Sequence, residues 1–205
     1  MAADETLTRV GRALLALANA LADLRRAWAL VGGLAVSARA EPRFTRDADV
    51  VVSVTGDAEA EALVLALGSY GFRPLTVVEQ DAVGRLATVR LASPGESGGA
   101  GVVVDLLFAS SGIEPEIMAA AETLETLPGL TVPVARVGHL LVLKVLSRSP
   151  RRPQDDADIR ALLAVAQEHD LRLAREGARL VMQRGFARGR DLPRLVDELL
   201  DQGRR

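Results

Sequence analysis

Two aspartates, Asp47 and Asp49, stand one residue apart at the start of an apolar run that continues through residues 50–52. Side chains alternate between the two faces of a strand, so both carboxylates are expected to project to the same side. Two carboxylates on one face repel each other unless a cation lies between them. Mg²⁺ typically binds one or two protein carboxylates and keeps positions for substrate phosphates. The spacing therefore predicts a magnesium site on this strand.

A glycine pair, Gly32 and Gly33, lies upstream of the two aspartates, between a short apolar run at residues 29–31 and a segment with helical character. Glycine has no side chain, so backbone N–H groups can approach a phosphate closely where a helix begins. A phosphate-binding turn that is followed by a metal-binding acidic pair indicates nucleotide chemistry.

A third carboxylate, Asp105, lies in the middle of the apolar run at residues 102–108, which is typical of a buried strand. An isolated carboxylate inside such a strand is unfavourable unless another group compensates its charge. One interpretation is structural, with Asp105 capping a helix or pairing with an arginine. Because an acidic pair is already present upstream, a metal-binding role is favoured.

The only lysine of the chain, Lys144, lies within an apolar helical segment, whereas the other 24 basic residues besides the histidines are arginine. A compact ammonium can act as a point charge on a phosphate or as a proton donor. The alternative is a lysine whose head group reaches solvent from a half-buried helix. The acidic cluster downstream (Asp155, Asp156, Asp158) favours a functional role, although Asp155 and Asp156 also suit the start of a helix, with Asp155 as the cap.

These residues need a framework of strands and helices to bring them together. Hydrophobic spacing and turn residues predict an α/β part to about residue 135, followed by a helical part. In the first part we expect helices at residues 6–27, from a cap at Asp57, and weakly at 113–125, and strands at residues 72–78, 85–91 and 130–135, with a hairpin connection at residues 93–101. In the second part we expect helices at residues 139–146, 155–169, 171–184 and 191–201.

Composition excludes several classes of protein. The 205 residues contain no cysteine, which excludes disulfides and thiolate sites, and only 3% aromatic residues, which disfavours a single-strand-binding platform. No apolar segment is long enough to span a bilayer and no secretory signal is apparent, so a cytoplasmic protein is expected. Neither histidine lies near a nucleophile motif, and His139 is expected to be a core or boundary residue.

Charge is unevenly distributed along the chain. The net charge is −2, yet residues 136–205 carry 15 basic and 10 acidic side chains. Such an excess is typical of a surface that faces a polyanion, but an arginine-rich, solvated helical face explains it equally well.

The glycine pair, the sequence TRDAD at residues 45–49, the aspartate in VVVDLLF and a downstream lysine followed by R-x-x-D-x-x-D occur here in one order. This arrangement resembles the minimal nucleotidyltransferases of the DNA polymerase β-like superfamily, and most closely the AbiEii-type toxins of bacterial toxin–antitoxin systems. The resemblance covers residues 28–165. It implies a polymerase β-like α/β core, a small mixed sheet flanked by helices, at residues 1–135, and a helical part at residues 136–205 that completes the active site.

The resemblance also implies an activity, namely transfer of a nucleoside monophosphate from an NTP to an acceptor hydroxyl with release of pyrophosphate. Two Mg²⁺ ions would be held by three carboxylates, those of Asp47, Asp49 and Asp105. The nucleotide phosphates would be contacted by Gly32, Gly33, Thr45, Arg46 and Lys144. Either Asp155 or Asp158 would orient Lys144 or the nucleotide; we prefer Asp158, although spacing alone does not decide between the two. Many superfamily members have Gly-Ser where this chain has Gly32-Gly33, so the serine hydroxyl is missing here.

From the resemblance, the expected acceptor is RNA, at the acceptor end of tRNA, and the expected protein partner is a cognate antitoxin. Two alternatives stay open. In the first alternative, the acceptor is a small molecule such as an aminoglycoside, or a protein hydroxyl. In the other alternative, the protein is catalytically silent and binds a nucleotide or a partner protein.

Overall fold

The computed structural model describes residues 7–80, 84–95 and 101–202. Within these ranges the chain forms seven strands and eight helices. The strands are β1 (Trp28–Val31), β2 (Asp47–Val52), β3 (Arg73–Gln80), β4 (Arg85–Ala92), β5 (Val103–Leu107), β6 (Glu122–Leu127) and β7 (Leu130–Val134). The helices are α1 (Arg9–Asp23), α2 (Gly32–Arg39), α3 (Asp57–Gly68), α4 (Glu114–Ala120), α5 (Val137–Ser147), α6 (Gln154–Val165), α7 (Glu168–Gln183) and α8 (Leu192–Gln202).

All seven strands form one mixed sheet in the order β3-β4-β5-β2-β1-β7-β6. Strand β2 lies at its centre, antiparallel to β1 and parallel to β5. Its apolar side chains at positions 50–52 are at most 1% exposed, as are Leu106 of β5 and Leu30 of β1. The position of the aspartates fixes the register of β2, since a shift by one residue would turn Asp47 and Asp49 to the face on which Val50 is buried.

The predicted architecture is confirmed, with a mixed α/β part followed by four helices from Val137 onward. Most predicted boundaries differ from the observed ones by a few residues. The first helix is shorter than the predicted 6–27: it ends at Asp23, and Arg25 adopts a left-handed backbone conformation with φ of 54°. Of the predicted hairpin connection, residues 96–100 lie outside the described residues. The division into two domains at residue 135 stays a prediction.

The expected helix at residues 113–125 was wrong in its second half. Helix α4 ends at Ala120, and β6 follows as an edge strand that pairs antiparallel with β7. Glu122 lies 2.6 Å from the Arg39 guanidinium and 2.9 Å from that of Arg136. Strand pairing and these ion pairs outweigh a local helix propensity, which is worth only tenths of a kcal/mol per residue.

Neither predicted aspartate cap is a cap. Helix α3 is capped at Gly56 and α6 at Pro153. The carboxylate of Asp57 instead accepts a hydrogen bond from Arg85 Nε at 2.9 Å. Asp155 is turned inward, where its carboxylate lies 3.1 Å from Lys144 Nζ. No helix in the described ranges is long and apolar enough to cross a membrane.

His139 of α5 is a core residue, as expected, with 3% of its surface exposed. Burial lowers the pKa of its imidazole to about 4; the charges of Glu116 and Asp170 oppose this shift, while that of Arg136 adds to it. The folded protein therefore holds His139 neutral at pH values where the unfolded chain has already bound a proton.

This burial predicts a pH-dependent loss of stability. Because the folded pKa lies below the unfolded value, the contribution of His139 is complete above about pH 6.5 and decreases as the pH falls toward 4. Between pH 7 and pH 5, we expect wild type to lose on the order of 1–2 kcal/mol more unfolding free energy than His139→Leu. Urea denaturation of both proteins at the two pH values measures the difference. Equal losses would contradict the account.

Candidate active site

Three carboxylates meet at the centre of the sheet. Asp47 and Asp49 lie on the same face of β2, and the parallel pairing of β2 with β5 places Asp49 directly opposite Asp105. Residues that are paired on neighbouring strands project to the same face of the sheet, so the side chains of Asp49 and Asp105 lie next to each other. The structure thus brings together the three aspartates that the sequence singled out.

Gly32 is required by the position of the Asp49 carboxylate. Its φ is +63°, at the junction where β1 ends and α2 begins. A Cβ atom at this residue would lie 1.8 Å from Asp49 Oδ2. Any side chain here would therefore collide with the carboxylate, and its backbone would also be strained. The glycine allows the carboxylate to lie directly against the start of α2.

Asp49 has an unusual charge environment. Burial, followed by the charges of Asp47 and Asp105, raises the pKa of its carboxyl group to about 6, although the charges of Lys144 and Arg152 act in the opposite direction. No side chain in the described part of the chain donates a hydrogen bond to it. Asp49 is therefore a buried carboxyl group with a raised pKa beside two other carboxylates, which is a common property of functional sites.

Arg90 of β4 is a site residue that the sequence analysis missed. It lies opposite Asp105 in the antiparallel pairing of β4 with β5. Its Nε and Nη2 atoms donate hydrogen bonds to the two Asp105 carboxylate oxygens at 2.8 and 2.7 Å. Among the described residues, no three acidic or histidine side chains are arranged as ligands of one metal ion. Asp105 thus has an arginine partner, as the structural interpretation of the sequence allowed.

Lys144 is buried and bound by two carboxylates. Its Nζ lies 3.1 Å from Asp155 Oδ1 and 2.8 Å from Asp158 Oδ2. Asp158 also accepts a hydrogen bond from Arg43 Nη2 at 3.0 Å. Burial raises the pKa of Asp158, but the hydrogen bonds and charges of Lys144 and Arg43 outweigh burial and lower it below the ordinary value. Lys144 is therefore an oriented cation and does not reach solvent freely, and both downstream aspartates hold it.

The remaining predicted nucleotide-binding residues occupy different surroundings. Thr45 Oγ1 donates a hydrogen bond to Asp47 Oδ1 at 3.0 Å. A Cβ at Gly33 would lie 2.8 Å from this hydroxyl and 2.6 Å from Arg43 Nη2, so protein side chains occupy the space beside this glycine. Arg46 is exposed and lies over the ring of Phe44. Contacts of these three residues with a nucleotide stay predictions.

A cavity of about 220 Å³ opens beside the carboxylates. Its charged lining residues are the acidic Asp49 and Asp105 and the basic Arg90, Lys144, Arg152 and Arg188. Arg188 has a left-handed backbone with φ of 54°, and its Nη2 donates a hydrogen bond to the Ser110 carbonyl at 3.3 Å. Burial and the nearby charges of Arg190 and Arg152 lower the pKa of Arg188. An arginine held among like charges is suited to bind an anion.

Sequence comparison identifies the family. The sequence model of the nucleotidyl transferase AbiEii toxins, type IV toxin–antitoxin system, matches residues 13–204. The chain belongs to this family. The match is longer than the resemblance over residues 28–165 and includes the C-terminal helices. Members of the AbiEii family are nucleotidyltransferases, so the chain is an enzyme of this class. No curated protein sequence matches it.

One of the similar solved structures has a TM-score above 0.5 and shares the fold of this chain. The crystal structure of ANT(2″)-Ia in complex with adenylyl-2″-tobramycin has a TM-score of 0.52 and 14% identity, and the match covers 84% of this chain and 98% of that one. An antigenic nucleotidyltransferase-like protein from Paracoccidioides brasiliensis has a TM-score of 0.49 and 22% identity over 90% and 89% of the two chains. The nucleotidyltransferase toxin MenT4 of Mycobacterium tuberculosis has a TM-score of 0.38 and 16% identity over 96% and 94%.

The Arg90–Asp105 pair generates a prediction about stability. In Arg90→Met, Asp105 loses its bidentate partner beside two other carboxylates, so we expect the free energy of unfolding to fall by about 1–3 kcal/mol. Added Mg²⁺ should then raise the melting temperature of the variant by more than it raises that of wild type. Thermal denaturation with Mg²⁺ and with EDTA measures both effects.

A matched control is available on the same strand. Arg85 pairs with Asp57 at 2.9 Å, and both side chains are more than one third exposed. Arg85→Met should reduce the unfolding free energy by clearly less than Arg90→Met does, because exposed ion pairs contribute little, and should leave the response to Mg²⁺ unchanged. If the two variants behave alike, Arg90 does not balance the charge of the acidic cluster.

Proposed function

We propose that this protein is a Mg²⁺-dependent transferase that moves a nucleoside monophosphate from an NTP to a hydroxyl of RNA, at the acceptor end of tRNA, as the toxin of a toxin–antitoxin pair. One observation carries the proposal: Asp47, Asp49 and Asp105 lie on one face of the sheet, and Asp49 and Asp105 line a cavity whose other charged groups are cationic. A triphosphate with its metal ions has the complementary distribution of charge.

The donor set fits a divalent ion. Asp47, Asp49 and Asp105 offer hard oxygen ligands, and a bound cation would favour the charged form of Asp49, whose pKa is raised by burial and then by the charges of Asp47 and Asp105. When bound there, Mg²⁺ would neutralise the triphosphate and stabilise the attacking and leaving oxygens. Arg90 would retain a contact with Asp105 or turn toward the phosphates, since half of its side chain is exposed.

The basic residues of the cavity suit the phosphates of the NTP. Lys144, oriented by Asp155 and Asp158, presents a fixed ammonium beside the carboxylates. Arg152 and Arg188 line the same cavity, and their guanidinium groups can bind phosphate oxygens in pairs. In this arrangement the α-phosphate would lie nearest the aspartates, and the departing pyrophosphate would lie toward the arginines.

An RNA acceptor and an antitoxin partner are supported by charge and family. The helical part after residue 135 carries the basic excess of the chain, and contacts with the phosphate backbone contribute much of the affinity for RNA. The family description names a type IV toxin–antitoxin system. An antitoxin for this chain is inferred from that description.

The experiment that tests this function uses the protein, total tRNA, Mg²⁺ and each of the four labelled NTPs in turn. We expect at least one nucleotide to label the RNA, and EDTA to abolish labelling. Asp47→Asn combined with Asp49→Asn should lower labelling at least about 1,000-fold, because the groups that would hold the metal are neutralised while their size is kept.

Other acceptors are distinguished in the same assay. Transfer to RNA should weaken steeply as the salt concentration rises, because RNA binding releases counterions, whereas transfer to a small molecule such as an aminoglycoside should change little. If the label from the NTP appears on a protein and not on the RNA, the acceptor is a protein hydroxyl. If no acceptor is labelled while the protein is folded, the transferase proposal fails for this chain.

Arg188 provides a separate prediction. If it contacts the NTP phosphates, Arg188→Gln should raise the KM for NTP by about 10–100-fold, the value of one charge-assisted hydrogen bond in a site of this kind. Arg175 of α7 is a matched control, since its guanidinium pairs with Asp197 at 2.9 Å and does not line the cavity. Steady-state kinetics with varied NTP measures both variants. An unchanged KM for Arg188→Gln would remove this residue from the nucleotide site.

A further inference from the structure

Phe44 differs from the other phenylalanines of the chain. Its side chain is 80% exposed, whereas those of Phe72, Phe108 and Phe186 are at most 9% exposed. Only six of the 205 residues are aromatic. A fully solvated phenyl ring contributes nothing to the core, and this ring lies in the short segment between α2 and the acidic strand β2.

The backbone that carries Phe44 is held in place by the active-site network. Arg43 Nη2 donates a hydrogen bond to Asp158, one of the two carboxylates that bind Lys144, and Arg43 Nη1 donates one to the Phe44 carbonyl at 3.1 Å. On the other side, Thr45 Oγ1 donates to the Asp47 carboxylate. The residues on both sides of Phe44 are thus bound to the site: Arg43 to Asp158, and Thr45 to Asp47. These contacts hold the backbone that carries the exposed ring.

A cation accompanies the ring. The guanidinium carbon of Arg46 lies 5.6 Å from the centroid of Phe44, within the range of a cation–π interaction. In the described part of the chain, Arg46 forms no ion pair with a carboxylate. Its positive charge is therefore available to an external anion.

A groove of about 670 Å³ runs from this pair along the start of the sheet. Its lining includes Thr45 and Val103, and Val103 is the β5 residue that pairs with Asp47. Three arginines, at positions 9, 43 and 46, contribute to the lining, and among the described residues that line it none is acidic. The groove thus reaches two neighbours of Asp47, and with the exposed ring of Phe44 and the cation of Arg46 it suits a polyanion that presents an apolar flat group.

We propose that Phe44 and Arg46 form the platform on which an unpaired base of the RNA acceptor stacks, next to the hydroxyl that receives the nucleotide; this inference rests on the proposed function. An aromatic ring stacks on any base, and an adjacent arginine contacts the phosphate that follows. Single-stranded RNA ends are commonly bound in this way, because their bases are free to stack on side chains. The platform selects an RNA with an unpaired end over a blunt duplex.

The test compares Phe44→Ala with Phe44→Trp. In the labelling assay, Phe44→Ala should raise the KM for tRNA by about tenfold, the loss expected from one stacked base, while the KM for NTP stays unchanged. Phe44→Trp keeps an aromatic face and should restore the wild-type KM. Leu65→Ala is the matched control, because Leu65 is also 80% exposed but lies on α3. Melting temperatures of all variants should agree with wild type.

Direct binding separates this inference from the proposed function. Fluorescence anisotropy with a labelled single-stranded RNA oligonucleotide and with a blunt RNA duplex needs no catalysis. If Phe44→Ala binds the single strand more weakly than wild type does, the platform is supported. This holds even if wild type labels no RNA, a result that would show only that the proposed acceptor is wrong. Equal binding by wild type and Phe44→Ala, no binding by wild type, or a preference for the duplex overturns the platform, whether or not RNA is labelled.

Discussion

The contact between Asp49 and Gly32 is the constraint on which the site depends. The carboxylate occupies the space that a Cβ would fill, so β2 and the β1–α2 junction can approach only because residue 32 is glycine. Parallel pairing of β2 with β5 then brings Asp105 beside Asp49, and the strand period brings Asp47 to the same face. Buried apolar side chains on β1, β2 and β5 hold these strands in the core, so the energy of the core keeps three like charges together.

Charge balance connects the two halves of the sequence. Arg90 offsets Asp105 within the sheet, while Lys144 of α5 binds Asp155 and Asp158 of α6. Arg43, just before β2, reaches the same Asp158. The helices after residue 135 thus contribute cations that lie beside the acids of the sheet, and a change in their packing would alter the charge of the cavity. Through Arg43, the same network fixes the segment that carries Phe44.

Much of this site could be predicted because its residues are unusual in their local sequence. The acidic pair precedes a valine run, Asp105 interrupts an apolar strand, and Lys144 is the only lysine. Arg90 gave no such signal, since it is one of 24 arginines and its partner is set by strand pairing. On a strand at residues 85–91 the side chain of Arg90 shares a face with Thr88, but only the pairing of β4 with β5 shows that Arg90 meets Asp105.

Elements whose conformation depends on distant partners were predicted least well. Residues 122–125 have little local preference, and their pairing with β7 decides that they form a strand. Asp57 and Asp155 have the residue type of a helix cap, but Arg85 and Lys144 bind their carboxylates. Arg188 reaches the cavity through the turn between α7 and α8, which sequence periodicity does not define.

The central claim is that the carboxylates of Asp47, Asp49 and Asp105 hold a divalent ion against Gly32. Anomalous scattering from a crystal grown with Mn²⁺ and a non-hydrolysable NTP measures this directly. We predict a manganese peak bound by Asp47 and Asp49, with the triphosphate extending toward Lys144. A triphosphate bound in the cavity with no manganese peak beside these aspartates, or manganese bound elsewhere on the protein only, would contradict the account.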